Sequence, residues 1–220
     1  MKSKTEKIDL IVTGFNAFGG KDFNPTESIV ESLPDEISIE NGNEIALSRL
    51  VLPTCCTSSW DLLQNLLDKR RKDRKTVLIM LGYAENARCV ALERVALNLR
   101  DYRLPDNEGH IHTASPIVEG QANALFNDLD LDTISKKLNF AGHLTEVSNH
   151  AGTFVCNEVY FKSLLYKQEN DHLKEAVFVH VPDLIPDNGK SKSVYTLDSM
   201  RELISGLIQE LISKKTAKRT

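Results

Sequence analysis

Short runs of β-branched and aliphatic residues, typical of buried strands, alternate along this chain with segments that read as helices. The apolar runs span 8–12, 46–52, 77–81 and 176–181, and the helix-like segments span about 26–33, 58–71, 153–167 and 196–214. The runs are continuously apolar, so we expect both faces of each strand to be buried. The pattern predicts an α/β sandwich whose largely parallel sheet is covered by helices on both sides.

One region interrupts this alternation. Residues 88–99 alternate less cleanly than the other runs, and residues 101–115 contain the turn cluster Pro105-Asp106-Asn107-Glu108-Gly109. Glycine, proline, asparagine and aspartate in such a cluster are typical of turns. We therefore expect this region to be an excursion from the sheet.

Length and charge limit the organisation and the partners of the chain. Its 220 residues, 41% of them hydrophobic, suffice for one core, so a single domain over residues 1–220 is expected. A net charge of -4 without a long basic stripe argues against a nucleic-acid partner. The basic run near the end predicts a frayed tail over 214–220. No stretch resembles a signal peptide or a membrane span, which predicts a cytoplasmic protein with no membrane partner.

The cysteines are best considered one at a time. Cys55, Cys56, Cys89 and Cys156 have no Cys-x-x-Cys spacing, so the sequence predicts neither a zinc site nor a dithiol redox motif. Cys156 follows a small, turn-capable segment and lies in the first turn of a predicted helix, where unpaired N–H groups and the helix dipole stabilise a thiolate. A buried core thiol fits the same position equally well.

A thiol nucleophile needs a base and a group that orients the base. His180 ends an apolar strand, where the active sites of open α/β sheets gather, although a core histidine would fit there too. His150 is closer to Cys156 in sequence. Glu93 lies in an otherwise apolar run and needs a partner once buried, but a structural ion pair with Arg94 would satisfy it as well.

Other catalytic motifs are missing from the sequence. The glycine-rich segment 13–20 lacks the spacing of a nucleotide-binding loop, and neither Gly-x-Ser-x-Gly nor His-Glu-x-x-His occurs. Phe15 and Phe18, in the loop after the first strand, would suit a small apolar pocket, with core packing as the alternative.

Four motifs in order resemble the pyroglutamyl peptidase I family, also called pyrrolidone-carboxylate peptidases. They lie at 12–25, 93–109, 151–157 and 179–182, and the resemblance covers nearly the whole chain. It implies a three-layer α/β/α sandwich with a mixed, largely parallel sheet, assembled as a homodimer or homotetramer without metal or organic cofactor. It also implies a cysteine exopeptidase that removes the N-terminal pyroglutamyl residue from peptides.

The resemblance implies roles for particular residues. Cys156 matches the family's nucleophile, His180 its base and Glu93 the carboxylate of a Cys-His-Glu triad. Arg103 matches an active-site arginine that would help to stabilise the oxyanion. The further residues expected to bind the substrate are Phe15, Phe18, Asn24, Tyr83, Phe154 and Val155.

One stretch departs from the family pattern. Family members commonly carry a Gln-Ala-Gly-Gly-Arg-like sequence where this chain has Tyr83-Ala84-Glu85-Asn86. This leaves open a related thiol hydrolase that acts on another small cyclic amide. A binding protein that keeps the fold with an inert Cys156 is a further alternative, and His150 remains a competing base.

Overall fold

The computed structural model describes residues 5–37, 42–185 and 194–213. Within these ranges the strands are β1 (Lys7–Phe15), β2 (Glu44–Leu52), β3 (Lys75–Tyr83), β4 (Val90–Glu93), β5 (Val95–Leu97), β6 (Ala124–Phe126), β7 (Thr145–Ser148) and β8 (Leu173–Val181). The helices are α1 (Pro25–Ser32), α2 (Ser58–Asp68), α3 (Leu131–Phe140), α4 (Val155–Glu169) and α5 (Leu197–Ser213). The predicted tail at 214–220 lies outside the described residues. Among the helices of the described ranges, none is long and apolar enough to cross a membrane.

Six strands form the main sheet in the order β2-β1-β3-β8-β4-β7. All pairs are parallel except β4 with β8, so the sheet is mixed and largely parallel, which confirms the predicted fold class. The central strands β1 and β3 are buried over nearly their whole length. The prediction of burial on both faces was wrong for β2, which is mostly half-exposed because it lies at the edge of the sheet.

Each face of the sheet is covered by its own apolar core. On one face, α1, α3 and α5 contribute residues such as Ile29, Ile134 and Leu207. On the other face, α2 and α4 contribute residues such as Leu63 and Phe161. Helices on both faces of one sheet make the predicted three-layer α/β/α arrangement.

The region predicted to leave the sheet does so only in part. Residues Val90–Glu93 are fully buried as β4 and lie between β8 and β7 in the main sheet, so the prediction was wrong there. The strand is only four residues long, too short for a clear periodic signal. Beyond it, β5 pairs with β6 in a separate two-stranded sheet, and residues 101–114 contain no strand or helix.

Candidate active site

Cys156 is the second residue of α4. Gly152, at φ +78°, turns the chain into the helix, and Phe154 forms its N-cap in an extended conformation without a side-chain hydrogen bond. The thiol is half-buried, and the backbone N–H groups of the first turn lie beside it. The predicted helix start is therefore confirmed, and Cys156 is not the fully buried core thiol of the alternative interpretation.

The start of α4 is also tied to a loop that follows β5. The Thr153 hydroxyl donates to the Asp101 carbonyl over 2.8 Å, and the Asp101 N–H donates to the Thr153 carbonyl over 3.1 Å. Arg103 follows two residues later and is exposed. This pair of hydrogen bonds keeps the Arg103 loop beside the turn that presents Cys156.

His180 connects Cys156 to Glu93. Its Nδ1 lies 2.7 Å from Glu93 Oε1, and its side chain also hydrogen bonds to the Cys156 thiol. Burial alone would lower the pKa of His180, but the hydrogen bonds to Cys156 and Glu93, and their negative charges, raise it to about 9. The imidazole therefore carries a proton at neutral pH, and it lies between a thiol and a carboxylate, as the base of a cysteine hydrolase does.

Backbone pairing places these side chains. His180 is the penultimate residue of β8, and Glu93 ends β4. The two strands are antiparallel neighbours with Ala91 opposite His180, so Glu93, two residues further along β4, lies on the same face as the diagonal neighbour of the imidazole. The buried Tyr160 of α4 donates its hydroxyl to the Glu93 carbonyl over 2.7 Å, which ties the helix to the carboxylate strand.

Arg94 and His150, the alternative partners of Glu93 and Cys156, make other contacts in the structure. Arg94 donates to Asp132 over 2.8 Å rather than to Glu93. His150 is exposed, and its Nδ1 accepts the Gly152 N–H over 3.1 Å. The scaffold alternative required Cys156 to lie far from His180, whereas the two side chains are hydrogen bonded.

Two of the other cysteines are poor nucleophiles. Burial raises the pKa of Cys56 to about 11, and it has the same effect on the pKa of Cys89. Both thiols therefore stay protonated at neutral pH, and a protonated thiol is unreactive. This contrast supports Cys156, with its imidazole partner, as the reactive thiol.

Aromatic rings gather in front of the helix start. The ring of Phe154 lies 5.9 Å from Phe18 and 4.6 Å from Tyr102, measured between centroids. Phe18 and Phe154 are half-buried, whereas Phe15 is 2% exposed and packs on Phe178, which in turn lies 5.0 Å from the His180 ring. Phe18 and Phe154 therefore offer ring faces to a ligand, while Phe15 supports the wall behind His180.

Asn24 and Val155, both expected near the substrate, are buried. Asn24 caps α1 by accepting the Thr26 N–H over 3.1 Å, and its amide donates to the Asn16 carbonyl over 3.0 Å. These bonds brace the loop that carries Phe18. Val155 is fully buried, so its backbone, rather than its side chain, faces the helix start.

Residues 83–86, which differ from the family pattern, contact the end of β8 and the loop after β1. The Tyr83 hydroxyl donates to Asp183, just beyond β8, and Lys21 Nζ lies 5.6 Å from the centre of the Tyr83 ring. Lys21 also pairs with Glu85 over 2.6 Å. The stretch is thus linked to the loop that carries Phe18.

Gly82 is a site residue that sequence reasoning missed. A Cβ built on it would lie 2.6 Å from the Phe178 ring and 3.0 Å from Cys156 Sγ. Only glycine leaves room for the thiol at the end of β3. A lone glycine at the end of an apolar strand is the signal that could have indicated this close approach.

The sequence profile of the pyroglutamyl peptidase family matches residues 8–206. The chain belongs to this family. It is 37% identical to the pyrrolidone-carboxylate peptidase of Pyrococcus furiosus over 80% of this chain and 81% of that protein, and 35% identical to that of Alkaliphilus oremlandii over 81% and 80%. Membership confirms the predicted class, a hydrolytic thiol peptidase.

Solved structures of pyroglutamyl peptidases share the fold. The pyroglutamyl peptidase I of Bacillus amyloliquefaciens superposes with a TM-score of 0.81 at 26% identity, covering 94% of this chain and 97% of that one. The pyrrolidone carboxyl peptidase of Fervidobacterium islandicum gives a TM-score of 0.83 at 28% identity, covering 94% and 99%. The pyroglutamyl peptidase fold thus extends over nearly the whole chain.

Proposed function

We propose that this protein removes the N-terminal pyroglutamyl residue from peptides, with Cys156, His180 and Glu93 as its catalytic triad. The observation that carries the proposal is His180, which hydrogen bonds to both Cys156 and Glu93 at the start of α4. A nucleophile, a base and an orienting carboxylate in this order are what acyl transfer by a thiol requires.

The chemistry follows from this geometry. The Cys156 thiolate attacks the pyroglutamyl carbonyl, and the tetrahedral intermediate collapses as His180 gives its proton to the departing amine. The shortened peptide leaves with a free N-terminus, and the pyroglutamyl group stays on sulfur as a thioester. His180 then takes a proton from water, whose oxygen attacks the thioester and releases pyroglutamate. Glu93 holds the ring orientation and stabilises the imidazolium at both stages.

The developing oxyanion has two sources of stabilisation. The N-cap of α4 has no side-chain hydrogen bond, so the N–H groups of its first turn can donate to an oxygen on the attacked carbon. Arg103 supplies a positive charge from the loop anchored at Thr153. Each donor of this kind contributes about 2.7–4 kcal/mol to the stabilisation of the transition state in other hydrolases.

Specificity for the pyroglutamyl ring rests on an uncharged aromatic site. The lactam is flat and neutral, and it would pack against the outward faces of Phe18 and Phe154, whose ring centroids lie 5.9 Å apart, with Tyr102 behind Phe154. An ordinary N-terminus would bring an ammonium group into the same space, where desolvation without a partner is costly. The protein should therefore reject peptides with free N-termini.

A pair of fluorogenic substrates tests the proposal. Pyroglutamyl-aminocoumarin and prolyl-aminocoumarin share a five-membered ring, but only the second carries a charged amine. We expect reduced wild-type protein to cleave the first and not the second, and Cys156→Ala to cleave neither. Folded, reduced wild type that leaves both substrates intact would contradict the proposal, as would equal cleavage of the two.

The second candidate function is thiol-dependent hydrolysis of a different small cyclic amide. Lys21, Tyr83 and Glu85 bridge the substrate loop and the end of β3, where the family's glycines are replaced. This bridge favours a thiol hydrolase that prefers another small cyclic amide. Under this alternative, iodoacetamide would still alkylate Cys156 rapidly, while pyroglutamyl-aminocoumarin stayed intact and an aminocoumarin amide of a six-membered lactam was cleaved.

We further propose that the protein works in the cytoplasm as a homodimer or homotetramer, without nucleic-acid or membrane partners and without a cofactor in the reaction. The family resemblance supports the assembly, and the net charge of -4 supports the lack of a nucleic-acid partner. Light scattering on the purified protein checks the assembly, and a monomeric mass at micromolar concentration would contradict it.

A further inference from the structure

Besides the triad, four side chains of metal-ligating type converge after the end of β2. They are Cys55, Cys56, Asp106 and His110, called the Cys55–His110 cluster below. Cys55 and Cys56 lie between β2 and α2, whereas Asp106 and His110 come from the turn 105–110. One ligand atom from each residue lies within 4.8 Å of all the others, and only His110 is exposed.

The cluster converges on one point instead of forming a proton relay. His110 Nδ1 lies 3.9 Å from Cys55 Sγ and 3.3 Å from Asp106 Oδ2. A relay needs the thiol and the carboxylate on different ring nitrogens, but here both face Nδ1. Ligand atoms in a tetrahedral zinc site lie about 3.3–3.8 Å apart, given bonds of about 2.0–2.3 Å. Both separations are close to that range, and because no pair of ligand atoms is more than 4.8 Å apart, shifts of about 1 Å or less would close the site around an ion.

Backbone hydrogen bonds already hold the two halves of the cluster together. Asp106 Oδ2 accepts the Cys56 N–H over 2.9 Å, and Asp106 Oδ1 accepts the N–H groups of Glu108 and His110 over 3.0 and 2.9 Å. The Asn107 N–H donates to the Thr54 carbonyl over 3.0 Å. These bonds fix the backbone that carries the ligands, as outer-shell contacts do in metal sites.

We propose that the Cys55–His110 cluster binds one zinc-class divalent ion. The thiolates of Cys55 and Cys56, His110 Nδ1 and Asp106 Oδ2 would be the ligands, and the two thiol protons would pass to solvent on binding. Two sulfurs, one imidazole and one carboxylate suit Zn²⁺ better than Mg²⁺ or Ca²⁺. The site would clamp the turn that follows Arg103 to the start of α2. Sequence spacing alone predicted no zinc site, because the two cysteines are adjacent and their partners come 50 residues later.

Cobalt titration tests the proposal apart from the peptidase activity. Co²⁺ is added to the reduced, full-length Cys156→Ala protein, in which the triad thiol cannot contribute. We expect thiolate-to-cobalt charge-transfer absorption that saturates at one equivalent and disappears when Zn²⁺ is added. In the same background, His110→Ala should weaken cobalt binding by on the order of 100-fold, because even outer-shell partners account for about 10–100-fold.

Matched variants show whether the cobalt ion binds at the Cys55–His110 cluster. Cys89→Ser removes a thiol outside the cluster, and His150→Ala removes an exposed imidazole outside it, so both should bind cobalt like the parent. Cys55→Ser combined with Cys56→Ser should abolish the charge-transfer band. Because these cysteines are buried, His110→Ala on the surface decides the outcome if that double variant does not fold. Absence of the band in the parent, or an unchanged affinity in His110→Ala, would overturn the proposal.

Discussion

At the residue scale, the contact between His180 Nδ1 and Glu93 Oε1, 2.7 Å long, determines what Cys156 can do. Glu93 is 2% exposed, and its second oxygen, Oε2, has no hydrogen-bond partner among the described residues. The carboxylate therefore depends on the imidazole for its compensation, and it favours the protonated ring. Activity should respond to the charge of Glu93 as well as to its shape.

Glu93→Gln keeps the shape and removes the charge. The pKa of His180 is raised to about 9, first because of Cys156 and then because of Glu93, so loss of the carboxylate lowers it. The imidazolium that protonates the leaving amine is then lost at a lower pH. We expect the alkaline limb of kcat/KM to move to lower pH and the maximum to fall by about 10²–10⁴-fold.

A pH profile of pyroglutamyl-aminocoumarin hydrolysis measures both effects. Glu146→Gln is the matched control, because Glu146 is an exposed acid on the neighbouring β7, and its profile should equal that of the wild type. If the Glu93→Gln limb stayed in place or moved to higher pH, Glu93 would not be the group that supports the imidazolium.

At the scale of elements, the end of β3 makes room for the nucleophile. Gly82→Ala would press a Cβ to 2.6 Å from the Phe178 ring and 3.0 Å from Cys156 Sγ. We expect it to lower the free energy of unfolding by about 1–3 kcal/mol, as overpacking does, and to lower kcat/KM by on the order of 10²-fold by displacing the thiol.

Gly206→Ala is the control for this substitution. Gly206 lies in α5, and its Cβ would meet only the end of the Leu138 side chain closely, at 3.2 Å. We expect wild-type activity and a stability within about 1 kcal/mol of the wild type. Urea unfolding and the fluorogenic assay report on both variants, and wild-type activity in Gly82→Ala would refute the close approach.

The helix α4 is joined to the Arg103 loop by a buried carboxylate. Glu158 is 1% exposed and accepts two hydrogen bonds from Arg100, each 2.8 Å long, and one from Tyr102 over 3.0 Å. It also forms an ion pair with Lys162 at 2.7 Å. Glu158→Gln breaks a buried ion pair and leaves charged partners behind, so we expect a loss of about 3 kcal/mol in the free energy of unfolding.

Asp132→Asn provides the comparison for Glu158→Gln. Asp132 pairs with Arg94 at 2.8 Å, but its side chain is 49% exposed, so this substitution should change stability by no more than about 1 kcal/mol. Urea unfolding of both variants measures the difference. Equal losses in the two would show that Glu158 does not anchor the loop.

At the scale of the whole molecule, the sequence was sufficient for the long central elements. Strands β1, β3 and β8 are buried on both faces and therefore read as continuous apolar runs, and α4 and α5 are long enough to be recognised. The short elements were harder. The four residues of β4 and the helix Leu131–Phe140 were not predicted, since a short or amphipathic segment gives a weak signal on its own.

The residues of the site likewise divide into those that the sequence predicted and those that it did not. Position on a helix start or a strand end pointed to Cys156 and His180, and an acid in an apolar run pointed to Glu93. For each of the three a structural role fitted as well, and the family resemblance decided between the two. Contacts between distant segments could not be read from the chain, because they depend on the packed fold. Gly82 beside Cys156, Tyr102 against Phe154, and the Cys55–His110 cluster all belong to this class.

The central claim is that His180 activates Cys156 for pyroglutamyl cleavage, and one measurement tests it most directly. It compares kcat/KM for pyroglutamyl-aminocoumarin in wild type, His180→Ala and His150→Ala, each reduced and shown to be folded by circular dichroism. We predict turnover by the wild type, a loss of at least about 10³-fold in His180→Ala, and a value within a few-fold of the wild type in His150→Ala. An inactive wild type, or activity lost in His150→Ala and kept in His180→Ala, would contradict the account.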